Sequence, residues 1–202
     1  MKSSVFRAFC AATLLSIGLT TDTLAGSLGL DAETPVVESS AAVLDYFEFG
    51  GDGDLSTFGA VVDFVDGVSP NGLTEIGFGV GFDLLDPTVG ATGGFDVVDE
   101  DGLLLGGDLT SVGFFEDVIE FVFSNLSGSA AGDFGTSVLA VVAFADALGP
   151  DPFSSLIDGQ SYLASVSISR IAEDATVPAP SALLLVLSAL GFVRWSGRRR
   201  LG

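Results

Sequence analysis

The chain has 202 residues, 48% of them hydrophobic, with 27 acidic and seven basic residues and a formal net charge of −20. The apolar content excludes a disordered chain, and the negative charge excludes nucleic-acid binding because phosphate groups would be repelled. The sequence contains no histidine, which excludes Ser-His-Asp catalysis.

The first 25 residues have the three parts of a secretory signal peptide. They are, in order, a positive n-region, an apolar stretch and a small-residue cleavage site: Lys2 and Arg7, Phe9 to Leu19, and Thr23-Leu24-Ala25. We predict cleavage between Ala25 and Gly26. Cleavage would remove Cys10, the only cysteine, so the exported chain would use neither disulfides nor thiolate metal ligands.

Residues 26–42 are predicted to be a flexible lead, because they are small, acidic and include Pro35. From residue 43 onward, apolar residues alternate with glycine or polar residues, and turns rich in Gly, Pro, Asn and Asp separate the runs. The alternation is clearest in 58–64, 76–84, 119–123 and 162–168. About eight short strands at this spacing predict one all-β domain over 43–174, an antiparallel β-sandwich or jelly-roll-like fold.

The chain between the signal peptide and the C-terminal segment is extremely acidic. Between Gly26 and Asp174 the chain has 26 acidic residues, and Arg170 is the only basic one. We expect Arg170 to pair with carboxylates. The acidity is consistent either with a cationic or neutral ligand or with a salty habitat, in which the charge repulsion is screened.

Two acidic turns are candidate calcium sites, since calcium prefers clustered carboxylate oxygens on loops. The predicted ligands are Asp52, Asp54, Asp99 and Asp101. The turn at Asp52 lacks the complete spacing of a twelve-residue calcium loop, because Thr57 stands where that loop needs glycine. Solvated hairpin turns are the alternative interpretation, and calcium is the one candidate cofactor.

A hydrolase that uses only carboxylates is a further hypothesis. Glu116, Asp117 and Glu120 are candidates, but acidic residues are so abundant that no spacing singles out a pair. We therefore predict a protein that is not an enzyme.

The C-terminal segment, residues 177–202, has three parts in a fixed order. A proline motif precedes an apolar run and a basic tail: Val177, Pro178, Ala179 and Pro180, then 181–195, then Arg194, Arg198, Arg199 and Arg200. As a helix the run is roughly 20 Å long, shorter than the ~30 Å hydrocarbon core. It predicts a single transmembrane helix that suits a temporary anchor, with the arginines in the cytoplasm.

These three parts resemble the PEP-CTERM sorting signal of Gram-negative bacteria, with Ala179 in place of the commonest Glu. The resemblance implies export by the Sec translocon, cleavage by signal peptidase, and anchoring in the inner membrane through the C-terminal helix. It also implies processing by exosortase near the proline motif and release to the cell surface or extracellular matrix, in association with exopolysaccharide or biofilm.

The sequence therefore favours an exported, non-enzymatic surface or extracellular-matrix protein. A calcium-dependent adhesin or carbohydrate-binding module is the alternative. The two differ in what the acidic domain does once it is outside the cell.

Overall fold

A computed structural model describes residues 27–172 and shows nine strands and two short helices. The strands are β1 (Ala32–Phe49), β2 (Asp52–Val61), β3 (Asp63–Val65), β4 (Glu75–Asp83), β5 (Thr92–Asp99), β6 (Gly102–Phe115), β7 (Val118–Ser127), β8 (Ser137–Phe144) and β9 (Gln160–Ile171). The helices are α1 (Ala131–Phe134) and a 3-10 turn (Phe153–Ser155). In this range no helix has the length and hydropathy needed to cross a membrane. The predicted signal peptide and C-terminal helix lie outside the described residues.

The strands form one closed antiparallel barrel. Neighbours follow the order β2-β4-β5-β6-β7-β8-β9-β1, and β1 pairs back to β2 to complete the ring. The short β3 pairs with the first part of β1. The all-β prediction is confirmed, but the expected sandwich or jelly roll is wrong. A sandwich consists of two sheets with open edges, whereas here the β1–β2 ladder closes a single sheet into a ring.

The predicted flexible lead also differs from the structure. Its residues from Ala32 onward belong to β1, which lies between β9 and β3. Val36 and Val37 have ladder partners on both sides, and Val37 is buried in the core. Pairing and burial here outweigh a local composition typical of a linker.

The barrel interior is packed with aromatic rings. The predicted alternation places Phe78 on β4 and Phe121 on β7 inward, and their ring centroids lie 5.1 Å apart in an edge-on contact. Phe95 and Phe123 make a similar contact at 4.8 Å. Such rings bury large apolar areas and prefer edge-on geometry, so they supply much of the core.

A phenylalanine closes each end of the barrel. At the loop end, where the β1–β2, β4–β5, β6–β7 and β8–β9 connections lie, Phe153 contacts Phe82 at 4.6 Å and Phe114 at 5.4 Å. At the opposite end, which we call the terminal end, the buried Phe134 of α1 contacts Phe64 at 6.4 Å. The Phe153 and Phe134 side chains thus close the two ends, and the interior of the barrel is a packed core.

The C-terminal end of the described chain lies at the terminal end. The Ala172 amide donates to the Asp31 carbonyl at 3.0 Å, beside the start of β1. The N-terminal residues lie elsewhere: the Ser27 hydroxyl donates to the Glu120 carboxylate at 2.9 Å, and Glu120 is only two residues from the loop-end start of β7. The segment after the barrel therefore leaves it at the terminal end, whereas the residues before β1 lie back along the outer wall at β7.

Candidate functional site

The barrel wall has a gap in one ladder. β1 pairs with β2 near the loop end and with β3 near the terminal end, in a single register that includes Asp45 with Ser56 and Glu38 with Asp63. Six residues on each side of the gap have no partner across it: 39–44 and 57–62. We call this gap the window.

One bulge lies on each side of the window. β1 carries one extra residue relative to β9 between Ser39 and Ala42, and β2 carries one relative to β4 between Thr57 and Ala60. A bulge bends its strand and increases the local twist. Because the two bulges face each other, β1 and β2 bow apart there and meet again at both ends.

The window opens into a cleft of about 410 Å³. Its rim includes the carboxylates of Glu38 and Asp63 and the exposed apolar side chains of Val43, Phe58 and Val61. Serine and threonine hydroxyls line its wall. The cleft therefore combines a few polar groups with apolar surface, as ligand sites usually do.

Two of these hydroxyls belong to residues that are almost completely buried. Ser39 is 3% exposed and Thr57 is 2% exposed, and both line the cleft. Within residues 27–172 neither hydroxyl makes a hydrogen bond, although neither oxygen is sealed from solvent. Each oxygen therefore keeps its donor and acceptor capacity unused by the protein and accessible to solvent. These two are therefore placed to bind something that enters the cleft.

Phe58 separates the cleft from a second concavity on the outer wall. Its side chain is 85% exposed and lines both. The second concavity, about 570 Å³, is a shallow groove across β4, β5 and β6. Its floor is made of glycines, Gly79, Gly94, Gly106 and Gly107.

Polar side chains lie on and beyond this floor. The Asn125 amide donates to the Asp108 carboxylate at 3.1 Å on the side away from Phe58. A Cβ atom at Gly77 would lie 2.8 Å from a carboxylate oxygen of Asp96, so that carboxylate lies close against β4. The groove offers hydrogen-bond acceptors beside a backbone that is open at Gly79.

The four predicted calcium ligands are placed in two separate groups. Asp52 and Asp54 lie at the loop end, where Asp52 is the register partner of Asp83. Asp99 and Asp101 lie at the terminal end, in the β5–β6 turn. The nine residues of β4 span the distance between the two ends, and their eight residue steps correspond to about 27 Å. The structure therefore does not combine the two acidic turns into one site.

Asp99 and Asp101 have local partners. The Asp99 carboxylate accepts backbone N–H bonds from Asn71 at 2.8 Å, Asp101 at 2.8 Å and Gly102 at 3.1 Å. These bonds lower the pKa of Asp99, and the bond from Asn71 has the largest effect. Asp101 accepts the Asn71 side-chain amide at 3.0 Å. These bonds hold the β5–β6 turn against the loop before β4.

Metal-ligating side chains do not converge at any point in the described range. Between Ser27 and Ala172 no three His, Cys, Asp or Glu side chains lie close enough to hold one ion. Calcium binding at the four aspartates stays a prediction.

The candidate hydrolase acids also have backbone partners. Asp117 accepts the Leu148 amide at 2.5 Å and the Gly149 amide at 2.9 Å, and so holds the β8–β9 loop. Glu120 accepts the Leu28 amide at 2.5 Å. Glu116 is exposed in the β6–β7 turn. These contacts account for Asp117 and Glu120 without assigning them chemistry.

The other predicted site residues lie outside the described range. These are the cleavage site at Ala25 and Gly26, the motif Val177 to Pro180, and the tail arginines Arg194, Arg198, Arg199 and Arg200. No family model, no curated protein and no solved structure matches the chain. The window and groove must therefore be interpreted from their own chemistry.

Proposed function

We propose that this chain is an exported, non-enzymatic surface or extracellular-matrix protein whose barrel binds neutral polysaccharide at the window. The observation that carries the proposal is the pair of accessible hydroxyls on two otherwise buried residues, Ser39 and Thr57, which line the cleft and make no hydrogen bond within residues 27–172. The export route rests on the resemblance of residues 177–202 to a PEP-CTERM signal.

The polar groups of the cleft are suited to a sugar. Each serine or threonine hydroxyl can both donate and accept, whereas the Glu38 and Asp63 carboxylates only accept. A sugar ring presents many hydroxyls that donate to such acceptors. Its C–H faces can lie against the exposed apolar surface of Phe58 and Val61.

Charge selects against acidic polymers. Residues 27–172 contain 24 carboxylates and a single arginine, Arg170. A polymer carrying uronate, sulfate or phosphate groups would be repelled over this surface at moderate salt. A neutral polysaccharide meets no such penalty.

Affinity electrophoresis tests the binding. We expect retardation of the protein in gels containing a neutral glucan or galactomannan and free migration in a gel of polyanionic alginate. Thr57→Val should weaken binding by about three- to tenfold through loss of one hydrogen bond. The control is Thr74→Val, since Thr74 is 3% exposed but lies outside the cleft. Equal retardation of the two variants, or none in neutral gels, would refute the proposal.

Localisation needs a separate experiment. Deleting residues 177–202 should change how the protein fractionates between membrane, surface and medium in a host with an exosortase. Identical fractionation of the deleted and complete chains would contradict the sorting route and leave the binding proposal untouched.

A calcium-dependent adhesin is the second candidate function. Asp52 and Asp83 are direct register partners on neighbouring strands, and like charges in that arrangement are unfavourable unless a cation offsets them. A thermal melt with calcium and with EDTA, with magnesium and sodium as controls, tests this candidate. A calcium-specific rise in melting temperature supports it, and equal shifts with all three salts refute it.

A further inference from the structure

We infer that the bound saccharide is an extended chain, which leaves the cleft over Phe58 and lies across the glycine floor of the groove. This inference rests on the proposed function and adds the length and path of the ligand. It predicts a site for internal segments of a long neutral polymer, as opposed to a single terminal sugar.

Continuity between the two concavities is the first reason. Phe58 belongs to the linings of both the cleft and the groove. The cleft holds about 410 Å³ and the groove about 570 Å³, so each has room for part of a ligand. A ligand confined to the cleft would leave the groove side of this exposed ring uncovered.

The bare floor is the second reason. Along β4 the inward residues are large and apolar, whereas the outward positions are Gly77, Gly79 and Gly81. A Cβ atom at Gly79 would meet nothing within 4 Å, which shows that the space above this strand is open. Glycine inside a strand weakens the sheet and often marks a place where a ligand approaches the backbone closely.

The far side of the groove supplies the third reason. From β2, which carries Phe58, to β6, which carries Asp108, is three strand spacings, or about 14 Å. The hydrogen bond from Asn125 orients one oxygen of Asp108, and the amide oxygen of Asn125 has no partner within the described chain. The acceptors of Asp108 and Asn125 therefore lie so far from the Phe58 ring that only an extended ligand can contact all three.

The decisive variant is Gly79→Val. Valine suits a strand, and the site has room for its Cβ, so the fold should be kept while the side chain obstructs the floor. Gly81→Val is the matched control. It lies on the same strand and face, its Cβ would make ordinary contacts at 3.9 Å, and it does not line the groove.

The experiment compares oligomers of two and six sugar units, of glucose or mannose according to the gel that retards the full-length protein. Calorimetry should show the six-unit oligomer binding the unmodified protein about tenfold more tightly than the two-unit oligomer, through one or two additional hydrogen bonds. Gly79→Val should reduce the six-unit affinity to that of the two-unit oligomer, whereas Gly81→Val should leave both unchanged. Melting curves verify that both variants fold.

Equal affinity for the two lengths, or full six-unit affinity in Gly79→Val, would overturn this inference while leaving the cleft as a sugar site. Failure of every neutral polysaccharide gel to retard the protein would overturn the proposed function and this inference together. The two failures are therefore distinguishable.

Discussion

Two glycine-to-alanine variants test how tightly the barrel interior is filled. Gly53 on β2 and Gly79 on β4 lie in strands and have ordinary backbone conformations. A Cβ atom at Gly53 would lie 2.7 and 2.9 Å from two ring atoms of Phe82 and 3.0 Å from the ring of Tyr46. A Cβ atom at Gly79 would meet nothing within 4 Å.

The steric cost at Gly53 cannot be relieved easily. The Phe82 ring stacks on Tyr46 with centroids 6.2 Å apart and is held on another side by Phe153. Overpacking of this kind costs about 1–3 kcal/mol. Replacing a strand glycine by alanine gains about 0.5–1 kcal/mol of backbone entropy at either position. The entropy gain is common to both variants, so their stabilities should differ by the steric cost alone.

Urea denaturation followed by far-UV circular dichroism measures the difference. With a slope of about 2 kcal/mol/M, a difference of ~2 kcal/mol moves the midpoint by about 1 M. Gly79→Ala should match or exceed the unmodified protein, and Gly53→Ala should fall below it. If Gly53→Ala proved as stable as Gly79→Ala, the loop end of the barrel would contain space that the described packing does not allow.

Three further outcomes follow from the structure. Phe153→Ala should destabilise the fold by about 3–5 kcal/mol, whereas Phe49→Ala, at an 89% exposed side chain, should change the urea midpoint little. Burial, followed by the hydrogen bond to a glutamate, raises the pKa of Tyr46, so its contribution to stability is complete below pH ~10 and is lost above it. Tyr46→Phe should therefore show a flatter alkaline decline in melting temperature, and parallel declines would contradict this. The pKa of Asp99 is lowered, so its contribution to the stability of the fold is present above pH ~4 and is lost as the pH falls through the lowered pKa. Asp99→Asn should therefore have a lower melting temperature than the unmodified protein at neutral pH, and the two melting temperatures should become equal in acid.

The sequence predicted the local geometry of the strands well. The alternation from Ile76 to Leu84 identifies the inward residues of β4, because a strand places successive side chains on opposite faces. The same alternation occurs in sandwiches and in barrels, so it could not show that β1 closes onto β2. That closure depends on pairing between whole strands, which local patterns do not encode.

The window could not be predicted from the sequence. Ser39 and Thr57 are ordinary strand residues, and only the pairing register shows that two bulges face each other. The groove did leave a signal. Glycines at 77, 79 and 81 alternate with large apolar residues, which indicates a strand with a bare outer face. The alternation predicted the strand itself, but it did not by itself assign the outward glycines to a binding surface.

The position of β9 determines how the barrel would respond to mechanical force. β9 has 11 register partners on β1 and seven on β8, and the chain leaves it at the terminal end. If the segment after residue 172 anchors the protein while a polymer pulls on the wall formed by β2 to β6, the force acts along the axis of β9. Both of its ladders are then sheared together, and their hydrogen bonds must fail collectively, whereas a strand peeled from an open edge loses its bonds one at a time. The closed ring would thus give a chain without disulfides a high resistance to tension.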